Sequence, residues 1–203
     1  MEENIKKFED LLLSINREGI PELLEFIKKS DFFTAPASTR FHSCHKGGLL
    51  EHSLNVCECL LNKLYNPVWS EYLNGVGRES LILVSLLHDI CKSYVYEVEW
   101  RNQKIYSDTG SKHDEKGNYD WQSVPFYKME KKYFLGHGAN SVIFLQKFIK
   151  LNMTETHAIL HHMGFSEPKE EYNDVGNAMR KYPLTLALHS ADLEATYLME
   201  EEC

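Results

Sequence analysis

An apolar helical run that ends in two adjacent ionisable residues sets the strongest limit on how this chain folds. Residues 78–92 read RESLILVSLLHDICK, and their leucine, isoleucine and valine residues form a wide apolar face that leads directly into His88 and Asp89. A buried carboxylate without a counter-charge is very costly. The fold must therefore supply hydrogen-bonding partners or a bound cation at this position.

Helical periodicity also dominates most of the remaining sequence. Asn66-Pro67 and Gly164 are typical of helix ends, Thr154 is predicted to cap the helix that it opens, and Pro183 is typical of a first helical turn. The predicted helices cover residues 4–17, 21–27, 49–65, 68–74, 78–92, 138–150, 154–163 and 183–201, and a further short helix is predicted within 170–182.

The stretch between residues 94 and 134 has a different character. YVYEVEW alternates and is rich in valine and aromatic residues, which predicts a strand. A polar, turn-rich segment follows, and VPFYKMEKKY is a candidate for the returning strand. We therefore expect one all-α domain over residues 1–203, with N-terminal helices in residues 1–30 and a small β-hairpin or flap inserted at 94–134.

Composition narrows the possible partners. The net charge of −8 argues against a broad basic surface for duplex nucleic acid, but it permits a small phosphate-bearing ligand. No apolar run is long enough for a membrane span, and the acidic amphipathic start does not resemble a signal peptide. The five cysteines are odd in number and lack CxxC spacing, so neither a disulfide framework nor a cysteine zinc site is indicated. These features predict a cytoplasmic protein, and they do not predict its oligomeric state.

The chain holds ten histidines, several of them within apolar helical segments. Any one of them alone is more typical of a core histidine that hydrogen-bonds a backbone carbonyl. Together with two aspartates in similar contexts and few neighbouring cations, they favour a metal centre. Imidazole and carboxylate ligands suit zinc, iron, manganese, cobalt or nickel better than calcium. The candidates are His52, His88, Asp89, His137, His157, His161, His162, His189 and Asp192.

Helix geometry limits which of these residues can bind the same ion. His88 and Asp89 point about 100° apart on a helix, which suits Asp89 as a bridge between two ions. His157 and His161 are four residues apart and could chelate one ion. On spacing alone, this pair and His162 both remain candidates.

Three segments resemble the H…HD…D signature of the HD-domain metal-dependent phosphohydrolase superfamily: GGLLEHSLNV, LLHDICK and LHSADLEA. The resemblance covers residues 36–200. The stretch PASTRFHSCHKGGLLEHSLNV is similar to small bacterial and phage-type HD hydrolases and to the HD domain of a group of 3′→5′ exoribonucleases. The resemblance implies an HD-type helical bundle.

The resemblance also implies a two-metal ligand set of divalent transition-metal ions. His52, His88, Asp89 and Asp192 would hold the first ion, and Asp89 would bridge to a second ion completed by His137 and His162. The family places its histidine two residues before the glycine, here Gly164, which favours His162 over His161. Lys92 would contact a substrate phosphate oxygen, and Cys91 stands where the family usually has glycine.

Further residues are candidates for supporting roles. Arg40 could bind phosphate, although a surface salt bridge is nearly as plausible, and His42 could transfer a proton or simply be a loop histidine. Asn140 and Ser141 follow His137 at a helix start, where backbone N–H groups attract anions. The residues expected to lie behind the ligands and orient them are His161 and His189.

These observations lead to one main hypothesis and two rivals. The chain is predicted to be a dinuclear metal-dependent phosphohydrolase that uses water to cleave a phosphomonoester or phosphodiester of a nucleotide or short oligonucleotide. No serine or cysteine nucleophile is paired with an obvious base, which favours direct attack by water. The rivals are a di-iron HD-type oxygenase and a non-catalytic nucleotide-sensing metal protein. The expected partner is a small phosphate-containing substrate, with short single-stranded nucleic acid as an alternative.

Overall fold

The protein is mostly helical, with a small antiparallel sheet. The computed structural model describes residues 1–40, 42–130 and 135–200. The α-helices in this part of the chain are α1 (Glu2–Leu13), α2 (Ile20–Lys29), α3 (Gly48–Asn62), α4 (Pro67–Tyr72), α5 (Arg78–Leu87), α6 (His137–Leu145), α7 (Met153–Leu160), α8 (Tyr172–Lys181) and α9 (Pro183–Leu198). Short 3₁₀ turns cover Lys63–Tyr65, Ile90–Lys92, Gly164–Ser166 and Lys169–Glu171.

The sheet consists of β1 (Tyr96–Tyr106), β2 (Lys112–Asp114) and β3 (Gly117–Met129), in the order β1-β3-β2. β1 and β3 form a long antiparallel ribbon, so the predicted hairpin is confirmed. The returning strand starts at Gly117, earlier than predicted, because the polar segment forms the short strand β2 and turns there. Residues 131–134 of the predicted strand lie outside the described residues.

The core lies between the helices that carry the candidate ligands. α3 packs against α5 and α9, and α7 packs against α6 and α9. Their inward apolar side chains are fully buried, and buried ionisable residues lie within α3 and α7 and directly after α5. Examples of the fully buried side chains are Leu49, Leu50, Leu83, Ile159 and Leu188.

Two predicted helix boundaries differ from the structure in ways that affect the site. The helix predicted over 78–92 ends at Leu87, and Asp89 (φ −108°, ψ 18°) leads into a 3₁₀ turn. Because the helix ends before Asp89, this side chain takes a different direction from the one that a continuous helix would give it. The angle of about 100° between the side chains of His88 and Asp89 in a helix therefore no longer applies. The helix predicted over 138–150 is shorter and ends at Leu145.

The cap of α7 also differs from the prediction. Asn152, and not Thr154, caps the helix: its side chain accepts a hydrogen bond from the Glu155 N–H, and the Glu155 carboxylate accepts one from the Asn152 N–H. This reciprocal capping box fixes the start of α7 and brings the Glu155 carboxylate back towards the protein interior.

The cysteines differ in their bonding state. Cys44 is disulfide-bonded, although the number and spacing of cysteines indicate no disulfide framework. Cys57, Cys59 and Cys91 are free thiols.

Among the described residues, no helix combines the length and the apolar character that crossing a bilayer requires.

Candidate metal centre

The candidate ligands converge where α3, α5, α7 and α9 meet. His52 lies within α3, His88 directly follows α5, and Asp89 is the next residue. His162 lies two residues beyond α7, and Asp192 lies within α9. The histidines and Asp89 are almost completely buried, and Asp192 exposes 18% of its side chain. The helices thus bring together residues from four segments that are distant in sequence.

Three of these residues form a first group. The Nε2 atom of His52 lies 3.3 Å from Asp192 Oδ1 and 3.3 Å from His88 Nε2. His88 Nδ1 lies 2.9 Å from the Ser85 carbonyl oxygen, and because a carbonyl only accepts, Nδ1 carries the proton. The Nε2 lone pair of His88 therefore faces the other two side chains, as a metal ligand requires.

A second group shares His88 and adds Asp89 and His162. His162 Nδ1 donates a hydrogen bond to the Ile159 carbonyl (2.7 Å), so its Nε2 lone pair points towards Asp89 Oδ1, 3.6 Å away. Neither His162 Nε2 nor Asp89 Oδ1 has a hydrogen-bond partner in the described structure, although both atoms are buried. Buried polar atoms without partners are rare and costly. A cation between them would satisfy both atoms.

A third group consists of Asp89, Cys91 and His137. His137 is the first residue of α6, and Cys91 lies in the 3₁₀ turn that follows Asp89. α6 approaches the C-terminal end of α7 so closely that a Cβ on Gly138 would lie 2.1 Å from the Leu160 carbonyl oxygen. Glycine at this position therefore allows His137 to reach the cluster.

The charges in the cluster fit metal binding. Burial lowers the pKa of His88 to about 4, so this imidazole is neutral at physiological pH. Burial raises the pKa of Asp89, but Lys92 and His88 lower it by more than burial raises it. The pKa of this carboxyl therefore lies well below its usual value. Burial lowers the pKa of His52, but Asp192 and Glu200 raise it to about 9, so this imidazole carries a proton that a bound metal ion would displace. Asp89 is thus an anion among imidazoles, which is a suitable ligand set for a transition-metal ion.

Glu200 is a member of the site that spacing and motifs do not predict. Its side chain is completely buried, and its carboxylate accepts hydrogen bonds from His52 Nδ1 (2.9 Å), His42 Nδ1 (2.5 Å) and Ser43 Oγ (2.9 Å). The bond to Nδ1 leaves His52 Nε2 free to face Asp192. Glu200 lies beyond the observed end of α9 but within the predicted helix 183–201, and as the first of three consecutive glutamates it looks like a solvated charge in the sequence.

Of the predicted phosphate-binding residues, Lys92 lies closest to the cluster. Its Nζ contacts Asp89 Oδ2 (2.7 Å) and donates to the Ala37 carbonyl oxygen (2.8 Å). Arg40 is exposed in the loop before α3. The Asn140 side chain donates to the Leu135 carbonyl, and the fully buried Ser141 accepts a hydrogen bond from the Cys91 N–H. The structure therefore gives Asn140 and Ser141 contacts within the protein, and their predicted role in substrate binding gains no support.

The two adjacent histidines after α7 point in different directions. His162 joins the cluster, whereas the His161 ring stacks on His157 (ring centroids 5.8 Å apart, 16° between planes), and Tyr182 stacks on the other face of His157. Parallel rings at this separation do not converge on one ion, so the structure does not support chelation by His157 and His161. His161 lines a separate cleft beside α8, and its predicted support of the ligands is likewise not supported.

His189, by contrast, contacts the ligand segment directly. Its Nδ1 donates to the His162 carbonyl oxygen (2.7 Å), and its ring packs so tightly that a Cβ on Gly164 would lie 2.5 Å from it. This contact holds the backbone of His162 in place.

The base of the β-hairpin borders the cluster. The Tyr96 hydroxyl donates to the same Ala37 carbonyl that accepts from Lys92. Further along the ribbon, Trp100 and Trp121 are exposed and lie on the same face. Trp100 pairs with Pro125 and Trp121 pairs with Lys104, and each partner lies four residues from the other tryptophan on its strand. Strand residues an even number apart point to the same side of the sheet. The hairpin therefore borders the candidate ligands at its base, through Tyr96.

Comparison with known proteins gives one partial relative among curated sequences. The chain is 40% identical over 62 residues to the dihydroneopterin 2′,3′-cyclic phosphate phosphodiesterase of Methanocaldococcus jannaschii. The matched segment is 30% of this chain and 24% of the relative, so the chain covers about a quarter of that protein. No protein-family model matches the chain, and no solved structure matches it.

Proposed function

We propose that this protein is a metal-dependent phosphohydrolase of the HD type that cleaves a phosphoester bond in a nucleotide-sized substrate. One observation carries the proposal: Asp89 Oδ1 and His162 Nε2 are buried, face each other at 3.6 Å, and lack hydrogen-bond partners among the described residues. A core built only for stability would pair these atoms.

The residues present fit two divalent ions that share Asp89. His52, His88, Asp89 and Asp192 would hold the first ion, and Asp89, His137 and His162 would hold the second. Mixed imidazole and carboxylate ligands suit manganese, iron, cobalt, nickel or zinc. When bound, such ions supply Lewis-acid activation of water and of the phosphoryl oxygens.

The protein's own groups would orient and neutralise the substrate. Although burial alone lowers the pKa of Lys92, the Asp89 carboxylate raises it above its usual value, so Lys92 stays a cation beside the cluster. We propose that it contacts a phosphate oxygen, with Arg40 as a second cation in the loop before α3. His42, hydrogen-bonded to Glu200 and 4.9 Å from the His52 ring, is the candidate for protonating the leaving group.

The partial relative supports this reaction class. Its name describes a phosphodiesterase that acts on a 2′,3′-cyclic phosphate. We propose that the present chain also hydrolyses a phosphodiester or phosphomonoester attached to a nucleotide-like group. Because the matched segment is short, the substrate has to be found by experiment.

A substrate screen on the metal-analysed protein tests the proposal. The purified chain, supplemented with manganese, should hydrolyse at least one member of a panel of 2′,3′-cyclic nucleotides, mononucleotides, cyclic dinucleotides, short RNA and bis-p-nitrophenyl phosphate. Asp89→Asn should abolish that activity. Bound metal without turnover on any of these would favour a nucleotide sensor. A coloured di-iron protein that consumes oxygen with an organic substrate would overturn the hydrolase proposal.

A further inference from the structure

Cys91 is a buried thiol in the third group of candidate ligands, with Asp89 and His137, and the proposed mechanism gives it no role. We propose that Cys91 is a ligand of the second metal ion, together with Asp89, His137 and His162, and that this ion is zinc or a similarly thiophilic metal. The inference rests on the proposed function only in requiring that this cluster binds metal.

The distances among Cys91, His137 and Asp89 suit side chains that bind one ion. Cys91 Sγ lies 3.8 Å from His137 Nδ1, and both lie within 4.8 Å of an Asp89 carboxylate oxygen. Bond lengths typical of zinc place sulfur and nitrogen ligands of a tetrahedral ion about 3.6 Å apart and oxygen and nitrogen ligands about 3.4 Å apart. The Asp89 Oδ1–His162 Nε2 distance of 3.6 Å fits the second value.

The protein backbone holds the thiol in this position. Cys91 lies in the 3₁₀ turn directly after Asp89, and its N–H donates to the Ser141 hydroxyl on α6 (3.3 Å). His137 opens the same helix, so one hydrogen bond fixes the turn against the element that carries the neighbouring ligand. Cys91 is only 4% exposed and lies two residues after Asp89, whose Oδ1 atom has no hydrogen-bond partner among the described residues.

A packing role explains less of this arrangement. Any small residue would fill the space beside His137, but alanine or serine would do so without placing sulfur among three other potential ligands. A thiolate also balances the charge, because one thiolate and one carboxylate neutralise a divalent ion. On binding, the Cys91 S–H bond breaks, its proton leaves to solvent, and a sulfur–metal bond forms.

The thiolate would narrow the choice of metal. Thiolates favour zinc, cobalt and iron over manganese and magnesium, which prefer oxygen ligands. We therefore expect the second ion to be zinc-like, whereas the first, held by imidazole and carboxylate alone, can accept manganese.

Cobalt spectroscopy tests the ligand directly. Metal-free full-length protein titrated with Co²⁺ should develop a near-ultraviolet sulfur-to-cobalt charge-transfer band and a visible d–d band. Cys91→Ser and Cys91→Ala should lose the charge-transfer band but keep the visible band of the first site. Cys57→Ser, which removes another buried thiol, is the matched control and should keep both bands. Zinc affinity of Cys91→Ser should fall at least about tenfold, since even an outer-shell change commonly has that effect.

The outcomes separate the two proposals. Cobalt binding to the wild-type protein without a charge-transfer band, or a band that persists in Cys91→Ser, would overturn the Cys91 assignment and leave the hydrolase proposal intact. No metal binding at all would overturn the proposed function itself. If the variants do not fold, X-ray absorption of the zinc-loaded wild type replaces them, and a sulfur neighbour at about 2.3 Å is the expected result. Only nitrogen and oxygen neighbours there would refute the assignment.

Discussion

Two buried carboxylates in this protein have opposite surroundings. Glu155 is completely buried and fully paired: it accepts hydrogen bonds from Arg17 Nη1 (2.9 Å) and Nη2 (2.5 Å), from the Ser80 hydroxyl (2.6 Å) and from the Asn152 N–H (2.9 Å). Asp89 is 4% exposed and contacts Lys92 through Oδ2, but its Oδ1 has no hydrogen-bond partner in the described structure. The first carboxylate is complete within the protein, whereas the second is surrounded by atoms with free lone pairs.

This difference separates a structural charge from a functional one. Both sites bury a negative charge, and burial alone is equally unfavourable for both. The Glu155 network offsets that cost with donors from the protein itself, so it stabilises one arrangement of α5, α7 and the α1–α2 connection. The Asp89 cluster leaves part of the cost for a cation to offset, and the unpaired atoms mark where that cation would bind.

Asp89→Asn should have the largest effect. Loss of the shared ligand should remove metal from both sites and lower hydrolase activity at least about 10³-fold, the scale of removing a principal electrostatic contribution to catalysis. Metal content by plasma mass spectrometry and turnover on the best substrate measure this. Asp10→Asn, an exposed position on α1, is the control and should retain both. Two tightly bound ions in Asp89→Asn would refute the bridging role.

Arg17→Met should have the largest effect on stability. It leaves Glu155 buried without its cation, and breaking a buried pair typically costs about 3 kcal/mol of unfolding free energy. Metal content and activity should stay within about twofold of the wild type, since the network is separate from the metal cluster. Urea unfolding measures the loss, with Lys28→Met as control because the Lys28–Glu9 pair is partly exposed, with 39% and 26% of the two side chains accessible. Equal stability of the two variants would contradict a structural role for the network.

The same pair should give a pH-dependent contribution to stability. Burial raises the pKa of Glu155, but hydrogen bonds from Arg17 and Ser80 lower it, and the net pKa lies below the usual 4.5. A lowered folded-state pKa means that the stabilisation is fully present above 4.5 and is lost as the pH falls through the folded-state pKa. The stability difference between wild type and Arg17→Met should therefore shrink on acidification below about pH 4.5. A constant difference across that range would argue against an ionised Glu155.

Metal addition should stabilise the Asp89 cluster and leave the Glu155 network unchanged. At a free metal concentration about 100 times Kd, binding adds about 2.7 kcal/mol, which raises Tm by about 5–10 °C for a chain of this size. Differential scanning fluorimetry of metal-free protein with and without Mn²⁺ or Zn²⁺ measures the shift. Arg17→Met should keep the shift and Asp89→Asn should lose it. A shift of equal size in both variants would mean that the metal binds elsewhere.

Glu200→Gln should have an intermediate effect. The amide can still contact His52, but it loses the charge that fixes the ring with Nδ1 as donor, so metal affinity should fall about 10–100-fold. Competition with a chelator measures the affinity. Glu194→Gln is the matched control. Glu194 lies on α9, as Asp192 does, but its carboxylate pairs with Lys63 instead of a candidate ligand. An unchanged affinity in Glu200→Gln would remove its positioning role.

His161→Ala should have the smallest effect on the metal centre. Its ring stacks on His157 outside the cluster, so metal affinity should change less than about twofold. His162→Ala is the informative partner and should lose the second ion. The reverse result, with metal lost only in His161→Ala, would show that the wrong member of this pair was selected.

Much of the fold follows from local patterns in the sequence. Apolar periodicity predicts the main helices, and alternation with aromatic residues predicts the hairpin. The helix boundaries were less accurate at 78–92 and 138–150, because local periodicity continues through His88 and Asp89, whereas the chain turns there to pack α6 against the 3₁₀ turn.

The candidate site shows the same division. The motif residues His52, His88, Asp89, His162 and Asp192 could be selected from the sequence because each interrupts an apolar run, and the structure brings them together. Glu200 and Arg17 could not be selected in this way. Both lie at the ends of predicted helices, and nothing in the sequence distinguishes them from the many solvated charges of an acidic protein.

The sequence by itself determined most of the helical segments and the motif residues that enter the interior, because both depend on local periodicity. Only the tertiary structure decided which buried carboxylate is complete. The partners of Glu155 lie 138 residues away at Arg17 and 75 residues away at Ser80, and Glu200 reaches His52 from 148 residues away. Hydrogen bonds act over about 3 Å and are independent of sequence separation, so only packing could leave Asp89 Oδ1 and His162 Nε2 without partners.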